Sequence, residues 1–358
     1  MRVSRGTGAG QWGPRERARE GGAAGTKSPR ILIVRLGSLG DLVHTLPAVS
    51  AIRRAWPHSE IDWLVEAPHR EFLELVPVIS SLVVLERRGA GAWIDAIRVM
   101  RRRHYAMAID FQGLVKSASL ARLSAATRVI GFDRAGVRES LATMFYSERA
   151  DVAEGGHVVR KNLALAAAAG GTGEELEFPI RAVASPIVEE FVARDPRPFV
   201  LINPGAAWPN KRWLPDRFGA AARWVMESRG LPSVVLWGPG EQGAAEDVVR
   251  ASGGAARLAP PTSLKDLVAL ARHAKLFVSG DTGPLHVASA VGTPTVSIFG
   301  PTNPMRNGPW ETADVSVSLY ESCPCHYQRQ CRLGPGEWCL GRVTVEQVTG
   351  AIAQRLPG

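Results

Sequence analysis

Residues 276–299 read LFVSGDTGPLHVASAVGTPTVSIF, and the order of elements within them decides the fold. Leu276–Ser279 is a short apolar run, Pro284–Val291 carries a helical pattern, and Thr295–Phe299 is a second apolar run. A strand, a helix and a strand in close succession predict parallel strands with the helix on the crossover. The turn Gly280-Asp281-Thr282-Gly283-Pro284-Leu285-His286 has its own chemistry. Pro284 suits the first helical position, where a missing N–H costs nothing, while Asp281 or Thr282 can cap the free amides and Gly283 lets another group approach. Open amides at a helix N-terminus attract a phosphate, and His286 in the first turn can donate to its oxygens. The competing reading is a capped helix that binds nothing.

The same alternation runs outward in both directions. Downstream of residue 186 the pattern predicts strands Phe199–Asn203 and Ser233–Trp237, with helices Asp216–Ser228, Ala244–Ala251 and Leu264–His273. Upstream, strands fall at Ile31–Leu36, Ile61–Glu66, Ser81–Leu85, Ala106–Asp110 and Arg128–Gly131, and helices at Leu42–Trp56, Trp93–Arg103, Leu114–Leu123 and Asn162–Ala169. Gly170-Gly171-Thr172-Gly173 breaks the last of these. The expected organisation is a basic tail over 1–29, a Rossmann-like domain over 30–180, a second over 186–345, and a C-terminal helix over 346–358. Two Rossmann-like α/β domains with parallel sheets facing across a cleft make the architecture called GT-B, in which ligands bind beyond the carboxyl ends of the strands.

Whole-chain numbers fit that reading. At 358 residues the chain supports about two domains, and 45% hydrophobic with 22% charged residues is ordinary globular composition. No stretch reaches the ~18 apolar residues that span a bilayer, so a cytoplasmic protein is expected. The net charge of +9 lies partly in the tail, which lacks hydrophobic period and reads as disordered. The remainder is spread through the folded part without interleaved aromatics, which suits phosphate-bearing substrates or an anionic membrane surface and argues against nucleic acid.

Other strand ends carry chemistry too. Asn203-Pro204-Gly205-Ala206-Ala207, with Lys211 and Arg212 following, places two cations where a leaving diphosphate would gain charge, unless both are solvated surface residues. Glu241, after Gly238-Pro239-Gly240, can accept from ribose hydroxyls or simply occupy a turn. In the first half Gly37-x-x-Gly40-Asp41 lacks the third glycine of a dinucleotide fingerprint, which counts against an oxidoreductase. Asp41 instead offers a carboxylate at a strand tip, able to act as general base or to cap the helix. His44, one turn on, either orients Asp41 or packs.

Four runs, IVRLGSLGDLVHTLPAVSAIRRAWP, DFQGLVKSASLARL, FDRAGVRESLATMFY and FVSGDTGPLHVASAVGTPTVSIFGPTNP, resemble the lipopolysaccharide heptosyltransferases, the type I enzymes most. The resemblance covers nearly everything after Pro29. It implies inverting transfer of heptose from ADP-L-glycero-D-manno-heptose to a Kdo sugar of the lipopolysaccharide inner core, with no metal required, by a monomer working at the cytoplasmic face of the inner membrane on a Kdo-lipid A type acceptor. Carried over by position, it implies that Asp41 is the base and Lys211 the diphosphate lysine. The same likeness assigns Asp281, Thr282, Gly283 and His286 to the nucleotide-sugar loop, Glu241 to ribose and Thr262 to adenine. Gly40, His44, Gln112, Lys116 and Arg138 fall in acceptor segments. Ala206 and Ala207 stand where hydroxyl side chains are usual, so phosphate contacts there would come from backbone amides. Another donor or acceptor, or a nucleotide-sugar epimerase, is the alternative on this architecture. All four cysteines, Cys323, Cys325, Cys331 and Cys339, crowd one segment in a manner closer to type II members. A cytosolic chain disfavours disulfides, which leaves a structural zinc-type site or a reduced cluster.

Overall fold

The computed structural model describes residues 28–86, 90–152, 155–331 and 339–357. The expected tail therefore falls, apart from Ser28 and Pro29, outside the described residues. Two six-stranded sheets account for the strands. The first holds β1 (Arg30–Val34), β2 (Glu60–Glu66), β3 (Ser81–Leu85), β4 (Met107–Asp110), β5 (Arg128–Phe132) and β6 (Glu148–Ala150), in the order β3-β2-β1-β4-β5-β6. The second holds β7 (Val200–Asn203), β8 (Ser233–Val235), β9 (Ala256–Leu258), β10 (Leu276–Gly280), β11 (Thr295–Phe299) and β12 (Val315–Ser318), in the order β12-β11-β10-β7-β8-β9. Every pairing is parallel. In each sheet the winding reverses once, between β1 and β4 and between β7 and β10, and the crevice beyond such a reversal is where open α/β sheets bind ligands.

Apolar sequence explains the central strands: β1, β4, β7, β10 and β11 are buried along almost their whole length. Edge strands β6, β9 and β12 were not expected from the sequence. Their segments ERA, ARL and VSVS are short or alternate with polar residues, so they pair because a neighbour is already in place. The expected helix Leu42–Trp56 is two helices, Leu39–Val43 and Leu46–Ala55. Pro47 has no amide to continue the first and suits the first turn of the second. Helix Pro186–Arg194, capped by the Ser185 hydroxyl, was also not expected. The C-terminal helix Val345–Arg355 buries Val348, Ala351 and Ile352 in the core of the second half.

The halves touch where helix Leu39–Val43 lies against helix Gly283–Ala290, and one apolar cluster runs through both. Glycine permits the contact. A Cβ on Gly40 would stand 2.4 Å from His286 Cδ2, and one on Gly283 would stand 2.9 Å from Leu39 Cβ.

Candidate active site

Asp41 occupies the third position of its short helix rather than the cap. Its Oδ2 accepts from the amide and hydroxyl of Ser38, both at 3.2 Å, and its Oδ1 pairs with Arg35 Nη2 at 2.5 Å. The side chain stays 27% exposed, so it closes the helix end and still faces the cleft. Burial opposes its ionisation, but the guanidiniums of Arg35 and Arg138 and the Ser38 amide overcome that and hold the carboxyl below its usual range. Arg35 is a site residue the sequence reading missed. It is 5% exposed, donates to the Phe111 carbonyl, and its own carbonyl takes a hydrogen bond of 2.9 Å from Trp63 Nε1. A cation ending an otherwise apolar strand was the available signal. His44 packs rather than orienting Asp41: its ring centroid lies 4.3 Å from that of His286 and 5.7 Å from that of His157. Burial, then those two neighbours, push its pKa well below the ordinary value.

Across the cleft, Asp281 is an organiser and not a cap. It accepts from Lys211 Nζ at 2.5 Å, from the Thr302 hydroxyl at 2.6 Å and from His286 Nε2 at 3.2 Å. Burial works against the charge, yet the His286 bond and the Lys211 ammonium hold the carboxyl far down, so His286 must carry its proton on Nε2. That nitrogen is thus engaged by Asp281 instead of being free for a phosphate. Thr282 is the cap residue by position, but its hydroxyl lies 3.1 Å from both Asn203 Nδ2 and Ser279 Oγ. Neither expected cap satisfies the first-turn amides, which leaves the helix N-terminus open to an anion.

Lys211 reaches this point from the loop after β7, its ammonium 4.6 Å over the Trp208 ring. Arg212, expected beside it, turns back to donate to the Ala206 carbonyl at 2.8 Å and does not line the cavity; Arg306 and Arg329 do. Ala206, Ala207 and Glu241 line it as well. Glu241 accepts from the Gly238 amide at 3.2 Å and sits so close to Gly205 that a Cβ there would meet Oε2 at 2.1 Å.

One cavity of about 430 Å³ brings Gly40, Asp41, His44 and Arg138 of the first half together with Lys211, Glu241, Asp281, Thr282, Gly283 and His286 of the second. Three more expected residues stay out of it, as Arg212 does. Gln112 uses its Oε1 to accept from the Leu36 amide at 2.9 Å and lines a smaller adjoining cavity. Lys116 pairs with Glu66 at 3.0 Å and lies over Trp93. Thr262 lies just before Leu264 and Lys265, which bond Glu71 and Glu74 of the first half away from the cavity. The four cysteines do gather in one cluster, Cys323, Cys325 and Cys339 buried and Cys331 half-buried against them, with Cys325 and Cys331 sulfurs 3.8 Å apart. None of them lines the cavity, and no group of three or more His, Cys, Asp or Glu among the described residues is arranged to hold a metal ion.

Two parallel α/β sheets with a carboxylate on one wall of a shared cavity, and cations with an open helix N-terminus on the other, are the GT-B arrangement expected of a glycosyltransferase. Comparison with known proteins narrows this. Residues 93–336 match the model of glycosyltransferase family 9 (heptosyltransferase). The chain is 32% identical over 86% of its length to lipopolysaccharide heptosyltransferase 1 of Pseudomonas aeruginosa, covering 89% of that protein, and 29% identical over 77% to the Escherichia coli K12 enzyme of the same name, covering 89% of it. A Veillonella parvula glycosyltransferase of family 9 superposes with a TM-score of 0.77 at 22% identity, covering 93% of this chain and 99% of that one. E. coli heptosyltransferase WaaC with ADP superposes at 0.72 and 24%, covering 91% and 97%. The chain belongs to glycosyltransferase family 9 (heptosyltransferase), as its four motifs suggested.

Proposed function

We propose that the protein transfers heptose from ADP-L-glycero-D-manno-heptose to a Kdo sugar of the lipopolysaccharide inner core, with inversion at the anomeric carbon and no metal. The observation that carries this reading is the shared cavity, in which Asp41 faces the Asp281–Lys211 pair across the join of the two halves. Relatives named lipopolysaccharide heptosyltransferase 1, and a similar structure holding ADP, support the donor and acceptor. The donor diphosphate lies on the open amides of helix Gly283–Ala290, with Glu241 placed for the ribose. Asp41, held ionised by Arg35, takes the proton of the acceptor hydroxyl as that oxygen attacks the anomeric carbon. Negative charge grows on the departing ADP, and Lys211, with the helix dipole, stabilises it where it develops. The outer surface works against the inner membrane that carries the acceptor, on its cytoplasmic side; no helix among the described residues is long and apolar enough to cross it.

The test is transfer from a panel of ADP-, GDP- and UDP-sugars to truncated core lipids, with Asp41→Asn alongside the parent enzyme. We expect turnover with ADP-heptose alone and a fall in kcat of ~10²–10⁴ in the variant with ADP still bound. Equal use of a GDP- or UDP-sugar would overturn the donor, and undiminished turnover would remove Asp41 as base.

A further inference from the structure

The cation inventory of the cleft exceeds what a diphosphate donor uses. Beyond Asp41 the main cavity adjoins a small one of about 30 Å³, which shares Asp41, Arg138 and Arg306 with it. That small cavity in turn shares Lys161 and Arg306 with a third, of about 340 Å³. Four cations therefore surround this path: Arg35, Arg138 and Lys161 from the first half, and Arg306 from the second. Asp41 is the one carboxylate lining the two smaller cavities among the described residues, and it is paired with Arg35.

The other three make no ion pair among the described residues. Arg54, Arg103, Arg128 and Lys265 all make ion pairs, whereas Arg138, Lys161 and Arg306 make none among the described residues. Lys161 donates to the Gly136 carbonyl and sits 4.7 Å over the Phe132 ring. Arg306 donates to Asn307 Oδ1 at 2.8 Å and lies 5.6 Å over the Tyr327 ring. Half-burial and the charges of Arg306, Arg138 and Arg35 press on Lys161 together, against Asp133. Like charges brought together and partly desolvated cost free energy until an anion joins them. The helix that carries Arg306 is tied to the first half where His157 Nε2 meets the Gly308 carbonyl at 2.8 Å, so its position beside Lys161 is built in.

We propose that Lys161 and Arg306, one from each half and assisted by Arg138, form a second anion subsite that holds an acidic group of the acceptor, a carboxylate or a phosphate, while its hydroxyl meets Asp41. The inference rests on the transferase reading and adds that the half carrying the donor loop also grips the acceptor. Its consequence is specificity: an acceptor without charge beside the reacting hydroxyl is discriminated against by Lys161 and Arg306.

Two measurements test it. In the first, Lys161→Ala and Arg306→Ala are assayed with the acidic core lipid, with the same lipid after esterification of its sugar carboxylates, and after removal of its phosphates. Each substitution is expected to raise the acceptor KM about tenfold or more, with the donor KM of Lys161→Ala moving less than about twofold. The penalty disappears for whichever neutralised lipid has lost the recognised group. An equal penalty on all three lipids, or an unchanged KM, overturns the subsite. In the second, the ADP-loaded protein is titrated calorimetrically with free Kdo and, separately, with inorganic phosphate. The parent is expected to bind one of them at least about tenfold more tightly than the double variant, and equal affinities overturn the proposal. If no acidic lipid is turned over while the titration still separates parent from variant, the transferase reading fails and the subsite stands.

Discussion

Replacing Gly40 by alanine tests the join of the two halves directly. The added Cβ would lie 2.4 Å from His286 Cδ2, where ordinary van der Waals contact begins near 3.4 Å, so something must move by about 1 Å. Neither partner yields easily. Gly40 sits in a helix whose Leu39, Leu42 and Val43 are buried, and His286 is 4% exposed and bonded to Asp281. Overpacking of this kind costs ~1–3 kcal/mol, which for halves of this size lowers Tm by roughly 2–10 °C. The larger effect is on rate. Separating the halves by about 1 Å displaces Asp41 from the loop around Asp281, and misplacement of that size costs on the order of 10²-fold in kcat/KM. Gly350→Ala is the control, because its Cβ meets nothing within 4 Å and lies in helix Val345–Arg355. It should leave rate unchanged and raise stability by ~0.5–1 kcal/mol. The measurement is steady-state transfer beside thermal unfolding. If Gly40→Ala kept its Tm and stayed within about twofold in kcat/KM, helix Leu39–Val43 would not seat against His286 in the working enzyme, and the cavity would be wrongly assembled.

Arg35→Met removes the charge that holds the Asp41 carboxyl down while leaving its burial, so the pKa of Asp41 rises and the acid limb of the kcat/KM profile moves towards neutral pH; an unmoved limb would separate Arg35 from the base. Because burial depresses the pKa of His44 below its unfolded value near 6.5, stability is complete above that pH and falls as pH drops through it, by at most ~1.4 kcal/mol per pH unit. His44→Asn should flatten the dependence of Tm between pH 7.5 and 5.5, and an identical slope would assign the acid sensitivity elsewhere. Burial, with Cys323 beside it, pushes the Cys339 thiol up to about 12, so this residue should resist iodoacetamide at pH 8 in the folded protein and react on unfolding. Chelation with EDTA should leave turnover intact, since no cysteine lines the cavity; loss of rate restored by zinc would refute metal-free transfer.

Much of the architecture was legible in one dimension because it rests on local rules. Buried parallel strands must be apolar, helices must start and stop at residues that tolerate open amides, and these marks survive in LFVSG, in TVSIF and around Pro284. Asp41, Lys211 and the Asp281 loop were visible for the same reason, each standing just past an apolar run. Strands such as β12 were not visible, since they owe their pairing to a neighbour and not to their own composition.

What only the tertiary structure decided is which groups meet. Lys116 looks like a cleft cation in the chain, yet it is turned to Glu66; Arg212 looks like a partner to Lys211, yet it bonds the Ala206 carbonyl. Lys161 and Arg306 bear no mark in the sequence that sets them apart from the other basic residues, and they matter because segments far apart in the chain place them with Arg35 around Asp41. A charge acts through distance and dielectric, and neither quantity exists until the halves have packed.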